Sequence, residues 1–115
     1  MAAPEVPAGE LVQVHVSHYW PPLGGPNCSR FVAGQCLSRM ASGERWQDWV
    51  GRAAACPPEW PFGTVIILPG GERFECQDRG GKIVYGADGL PWIDLLVEVA
   101  PVNYGDVVTV RVVWP

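Results

Sequence analysis

The sequence predicts an all-β fold closed into a barrel, and three observations carry that reading. Glycine (14 residues) and proline (12 residues) recur as punctuation between short apolar runs, the pattern of brief strands joined by turns. Leu11–Trp20 and Val107–Trp114 alternate apolar and polar residues with the period of two that marks strands. Only one segment has helical spacing. With 115 residues the chain is expected to form a single domain over 1–115, with residues 1–10 as a flexible N-terminus.

In chain order, Leu11–Trp20 sets Val12, Val14 and Val16 against Gln13, His15 and Ser17, and predicts the first strand. Pro21–Arg39 is rich in Pro, Gly, Asn, Ser and Cys without a sustained period, and reads as a long N-terminal loop. Glu44–Ala55 places Trp46, Trp49, Val50 and Ala53 at helical spacing behind a capping Ser42, and predicts one short helix. Thr64–Leu68 and Arg73–Gln77, joined through Pro69-Gly70-Gly71, predict a hairpin. Lys82–Tyr85, Trp92–Val99 and Val107–Trp114 complete six strands, which would close on one another to hide their edges. Trp114, in the last alternating strand, is expected in the core.

Hydrophobic residues make up 48% of the chain and charged residues 17%, too apolar a balance for disorder. No run reaches the roughly 18 apolar residues of a membrane-spanning helix. A net charge of -4 with 8 scattered basic residues offers no footprint for a phosphate backbone, so nucleic acid is not an expected partner. Four cysteines, Cys28, Cys36, Cys56 and Cys76, form an even set without a CxxC pair. They read as a disulfide framework rather than a zinc site, and neither metal nor cofactor is expected. Three pairings are open, and sequence proximity favours Cys28 with Cys36 and Cys56 with Cys76. Disulfides imply a secreted or cell-envelope protein. Met1–Glu10 has neither a basic n-region nor an apolar h-region, so the leader is expected to be missing from this sequence or export to run by another route. The protein is expected to be a monomer.

Four segments in order carry a resemblance: Met40-Ala41-Ser42-Gly43, Trp60-Pro61-Phe62-Gly63-Thr64-Val65, Asp78-Arg79-Gly80-Gly81-Lys82-Ile83 and Trp92-Ile93-Asp94-Leu95. The series resembles the three-aspartate domain of membrane-bound lytic transglycosylase A and related cell-wall proteins, over Ser38–Val113. The resemblance implies a six-stranded double-psi β-barrel, the fold shared with rare lipoprotein A, the expansins and the family 45 endoglucanases. The family's first aspartate falls here at Cys56, followed by Pro57. His18-Tyr19-Trp20 resembles the strand start of the family 45 endoglucanases, with Pro21 where their catalytic aspartate stands.

Glycosidic cleavage needs a carboxyl that keeps its proton near neutral pH. Asp94, set among Trp92, Ile93, Leu95 and Leu96, is the candidate acid, and the resemblance implies the same role. Asp78 would hold or tune it. Gly80 and Gly81, lacking side chains, would let a sugar approach the backbone. His18, Tyr19, Trp20, Asp48, Trp60 and Trp92 are the other expected substrate contacts, the indoles because their faces stack on pyranose rings. The function expected is lytic transglycosylase-like cleavage of β-1,4 bonds in peptidoglycan or a related glycan. The alternatives are an expansin-like binding module that does not cut, an endoglucanase-like hydrolase, and a barrel that serves only as an assembly scaffold.

Overall fold

A computed structural model describes residues 9–80 and 84–115, and its centre is a closed six-stranded mixed barrel. The strands are β1 (Glu10–Tyr19), β4 (Ala53–Cys56), β5 (Val65–Ile67), β6 (Arg73–Arg79), β7 (Trp92–Leu96) and β8 (Asp106–Val113), in the order β1-β7-β4-β6-β5-β8. Two pairs, β1 with β7 and β4 with β6, are parallel, and the others are antiparallel. A separate two-stranded hairpin, β2 (Phe31–Val32) with β3 (Gln35–Cys36), lies in the segment between β1 and β4. Among the described residues the only helical elements are three 3-10 turns.

The alternation in β1 sends Val14 and Val16 into the barrel, where they meet Ile93 and Leu95 of β7, Ala54 of β4, Phe74 of β6, Ile66 of β5, and Val110 and Val112 of β8. The opposite face of that wall is buried too. Met40, Ala53 and Leu96 form a second apolar cluster with Tyr19, Trp46 and Trp49, because residues 20–52 fold over the outside of the barrel.

The helix expected over Glu44–Ala55 is replaced by a 3-10 turn at Trp46–Asp48 followed by strand β4. Gly51, at φ 75°, turns the chain out of helical geometry. Ala53–Cys56 is buried on both faces, between the core and the covering segment, and that double burial outweighs alanine's helix propensity. The strand expected over Lys82–Tyr85 has Lys82 and Ile83 outside the described residues, and Tyr85 makes only an isolated bridge with Pro91. β4 thus supplies the sixth barrel strand. The flexible N-terminus expected over 1–10 lies outside the described residues except for Gly9 and Glu10, and Glu10 already belongs to β1. Trp114 is 42% exposed and packs edge-on against Trp60, at the rim rather than in the core.

Both disulfides pair as sequence proximity suggests, Cys28 with Cys36 and Cys56 with Cys76. Cys56 and Cys76 face each other from β4 and β6 inside the barrel. At the tip of the β2–β3 hairpin Ala33 and Gly34 both have positive φ, 52° and 79°. That is the signature of a two-residue turn suited to Asn-Gly. Ala33→Asn is therefore expected to stabilise the fold by about 0.5–1 kcal/mol, read as a higher midpoint in denaturant unfolding.

Candidate functional site

Strand register builds the site. Ser17 of β1 lies opposite Asp94 of β7, Asp94 lies opposite Ala55 of β4, and Ala55 lies opposite Asp78 of β6. These four residues form one lateral row across four strands on the outer face of the barrel. Alternation alone would put Asp78 inside with Phe74 and Cys76. A register shift between Ala54 and Ala55 leaves Gln77 as an extra residue and turns Asp78 outward. Ala55, with only a methyl group, separates the two carboxylate positions without filling the space between them.

The row borders a cleft of about 230 Å³ whose floor includes Tyr19, Asp78, Gly80 and Asp94. Its far wall comes from the covering segment: Pro26, Ser29, Ser38, Met40, Trp46 and the Cys28–Cys36 disulfide. Closing the short loop between those cysteines, which stand 8 positions apart, restricts the unfolded chain and so favours the conformation that holds the wall in place.

The two carboxyls differ in their surroundings. Among the described residues Asp94 takes one hydrogen bond, from Ser17 Oγ to its Oδ1 at 2.9 Å. Burial pushes its carboxyl above the usual carboxylate range; the Ser17 bond and the nearby His18 pull it down, and the charge of Asp78 adds to the rise. Asp78 is committed to three donors: the Tyr19 hydroxyl on Oδ2 and the backbone N–H groups of Ala41 and Arg79 on Oδ1, each at 2.9 Å. Burial first, and then the charge of Asp78, push the Tyr19 phenol far above its ordinary range, so it remains a hydroxyl donor. The Ala41 contact ties the Met40–Gly43 segment to Asp78, two stretches widely separated in sequence.

Other expected contacts lie elsewhere. Trp60 is buried in the barrel core, because its ring packs among inward-facing side chains. Trp92 stacks on His15, with ring centroids 4.7 Å apart, and does not line the cleft. Trp20 stands behind the wall, edge-on to Trp46 at 5.8 Å. Asp48 is exposed on the 3-10 turn outside the cleft. His18 packs edge-on against Tyr104, with its Nδ1 buried and unpartnered among the described residues. Gly81 lies outside those residues. Ser17, Met40, Ala41 and Arg79 were not among the expected contacts; Ser17's strand position was readable, but its partner across the sheet was not. Among the described residues no group of three or more His, Cys, Asp or Glu side chains is placed to hold a metal ion.

Behind the row, His15 Nδ1 bonds the carbonyl of Gly105 at 2.9 Å and Nε2 bonds Asp88 Oδ2 at 2.8 Å. The Gly105 carbonyl, then Asp88, raise the His15 pKa above 6.5, while the Leu90 N–H, then His15, lower that of Asp88 below 3.8. A raised histidine pKa contributes stability below its unfolded value and loses it as pH rises through the folded one. A lowered carboxyl does the reverse on acidification. The clasp is therefore strongest between about pH 4 and 6.5. NMR titration is expected to place the His15 midpoint above 6.5, and Asp88→Asn to bring it part of the way back; equal midpoints in the two proteins would show that Asp88 has no hold on the ring.

No protein-family model, curated protein or solved structure matches this chain. No helix of the described residues is long and apolar enough to cross a membrane.

Proposed function

We propose that this chain is a secreted or cell-envelope enzyme of double-psi β-barrel type that cleaves β-1,4-glycosidic bonds in peptidoglycan as a lytic transglycosylase does. The observation that carries the reading is the Asp94 carboxyl, half-buried, raised in pKa by its burial and open to a cleft. Asp94 gives its proton to the glycosidic oxygen as that bond breaks. The resulting carboxylate then takes the proton of the muramic acid 6-hydroxyl as its oxygen attacks the anomeric carbon, closing a 1,6-anhydro ring. One group serves as acid and then base, and no water is consumed. Asp78, held by three donors, fixes the floor of the cleft and Tyr19 with it. The pairing of parallel β1/β7 and β4/β6 within a closed six-stranded barrel is in keeping with the double-psi reading, and two disulfides with an oxidising compartment.

A volume of 230 Å³ is below the roughly 300–1,000 Å³ of pockets that enclose whole small ligands, as suits a groove gripping part of a polymer. One observation favours a second reading, a polysaccharide-binding module that does not cut. The position where the three-aspartate pattern has its first aspartate is Cys56, locked in a disulfide inside the barrel. Incubation with purified peptidoglycan and with cellulose, followed by mass spectrometry of the soluble products, separates the readings. Anhydro-muropeptides are expected. Pelleting with either polymer and no product would establish the binding module, and reducing cello-oligosaccharides would establish a hydrolase.

A further inference from the structure

The polarity of the hydrogen bonds behind Asp94 is forced by chemistry. The Trp92 indole nitrogen can only donate, and it bonds Ser17 Oγ at 2.7 Å. Ser17 therefore accepts there, and its single hydrogen is free to go to Asp94 Oδ1, 2.9 Å away. Ser17 itself is 3% exposed, so water does not compete for the hydroxyl. Oδ1 is left as a standing acceptor. Oδ2 takes no hydrogen bond from the described residues, and Asp94 lines the cleft, so Oδ2 is the oxygen left to face it.

We propose that the chain Trp92 Nε1–H to Ser17 Oγ–H to Asp94 Oδ1 directs the acid proton of Asp94 to Oδ2, the oxygen open to the cleft, making Ser17 and Trp92 positioning residues for the acid. The catalytic consequence rests on the function proposed above; the proton placement does not. A protonated carboxyl with Oδ1 committed as acceptor has its donor hydrogen on the other oxygen, where a glycosidic oxygen in the cleft can receive it. After transfer the Ser17 hydrogen bond stabilises the carboxylate that remains. Trp92 is fixed in turn by its stack on His15, at an interplanar angle of 20°, so the donor at the head of the chain is held in orientation.

The chain makes a prediction that a packing role for Ser17 would not. Ser17→Ala removes a donor to the charged form of Asp94, and the carboxyl ¹³C titration midpoint of Asp94 is expected to rise by about one pH unit. Trp92→Phe keeps an aromatic ring over His15 but frees the Ser17 hydroxyl to turn elsewhere, and is expected to move the midpoint the same way by less. In product release from peptidoglycan, both variants are expected to shift the alkaline limb of the pH profile upward with the midpoint. An unmoved Asp94 midpoint in Ser17→Ala, with backbone amide shifts otherwise like the parent's, would overturn the proposal; should Ser17→Ala not fold, the same result in Trp92→Phe would do so. If the midpoints move but the parent releases no product from any glycan, the proton placement stands and the enzymatic reading falls by itself.

Discussion

Asp94→Asn is expected to lower anhydro-muropeptide release by about 10²–10⁴-fold while leaving the protein folded and still pelleting with peptidoglycan. Asparagine has nearly the same shape, and its carbonyl oxygen still accepts the Ser17 hydroxyl, so the row across β1, β7, β4 and β6 keeps its geometry. What disappears is the proton. The same substitution carries a second expectation of opposite sign. A carboxyl raised in pKa by burial contributes stability while protonated and loses it as pH rises through its folded value. Above that folded value the parent carries a half-buried carboxylate that the neutral amide of the variant replaces. The variant is expected to melt higher than the parent on the alkaline side of that value, with the gap closing towards pH 3, where Asp94 is protonated. Loss of cutting together with a higher Tm is the pattern of a group kept for chemistry at a cost to stability. A variant that cuts like the parent would remove Asp94 from the catalytic role, and one that melts lower on the alkaline side of its titration would show that its charge is well compensated.

Replacing Cys56 and Cys76 together by alanine is expected to cost about 3–5 kcal/mol, roughly 10 °C or more in Tm. The bridge spans 20 residues, and closing a loop of that length restricts the unfolded chain by about 3 kcal/mol in the chain-entropy model. Both cysteines are wholly buried, so removal of their sulfurs also leaves unfilled space in the core. The position matters for the site as well. Cys76 lies opposite Ala54 immediately before the register shift that turns Asp78 outward, so the disulfide pins the strand pair beside the irregularity. Loss of the bridge should therefore loosen Asp78 before it unfolds the barrel, visible as faster amide exchange at Ala41 and Arg79, whose N–H groups bond that carboxylate. The corresponding double replacement of Cys28 and Cys36 is expected to leave those two amides protected, since its short loop lies in the covering segment. Equal Tm losses for the two pairs would contradict this placement.

Strands with one buried face were legible in the sequence. The alternation of Val12, Val14 and Val16, and that of the last strand, maps onto β1 and β8 within a residue or two, because a side-chain period of two is a local property of extended backbone. The Gly-rich turn between β5 and β6 was readable for the same reason. Ala53–Cys56 was not. An alanine run has no alternation to read and carries helix propensity, and only burial on two sides by residues far away in sequence makes it a strand. Asp94 stood out as a carboxyl within an apolar strand, and Asp78 through the glycines that follow it. Neither signal identified Ser17, because a serine's place within a strand does not say which residue of another strand will lie opposite.

Spacing along the chain and the energetics of burying side chains were enough to establish the all-β class and the positions of most barrel strands. They also sufficed for the proximity pairing of the four cysteines and for the presence of an acid among apolar neighbours. Long-range pairing was needed to make β4 complete the barrel and to turn Asp78 outward through one extra residue at Gln77. It was needed again to bring Ser17, Asp94, Ala55 and Asp78 into a row beside a cleft walled by residues 20–52. The reason is physical: strand pairing joins residues as far apart in sequence as Glu10 and Val112, and a shift of one residue moves a side chain to the other face of the sheet.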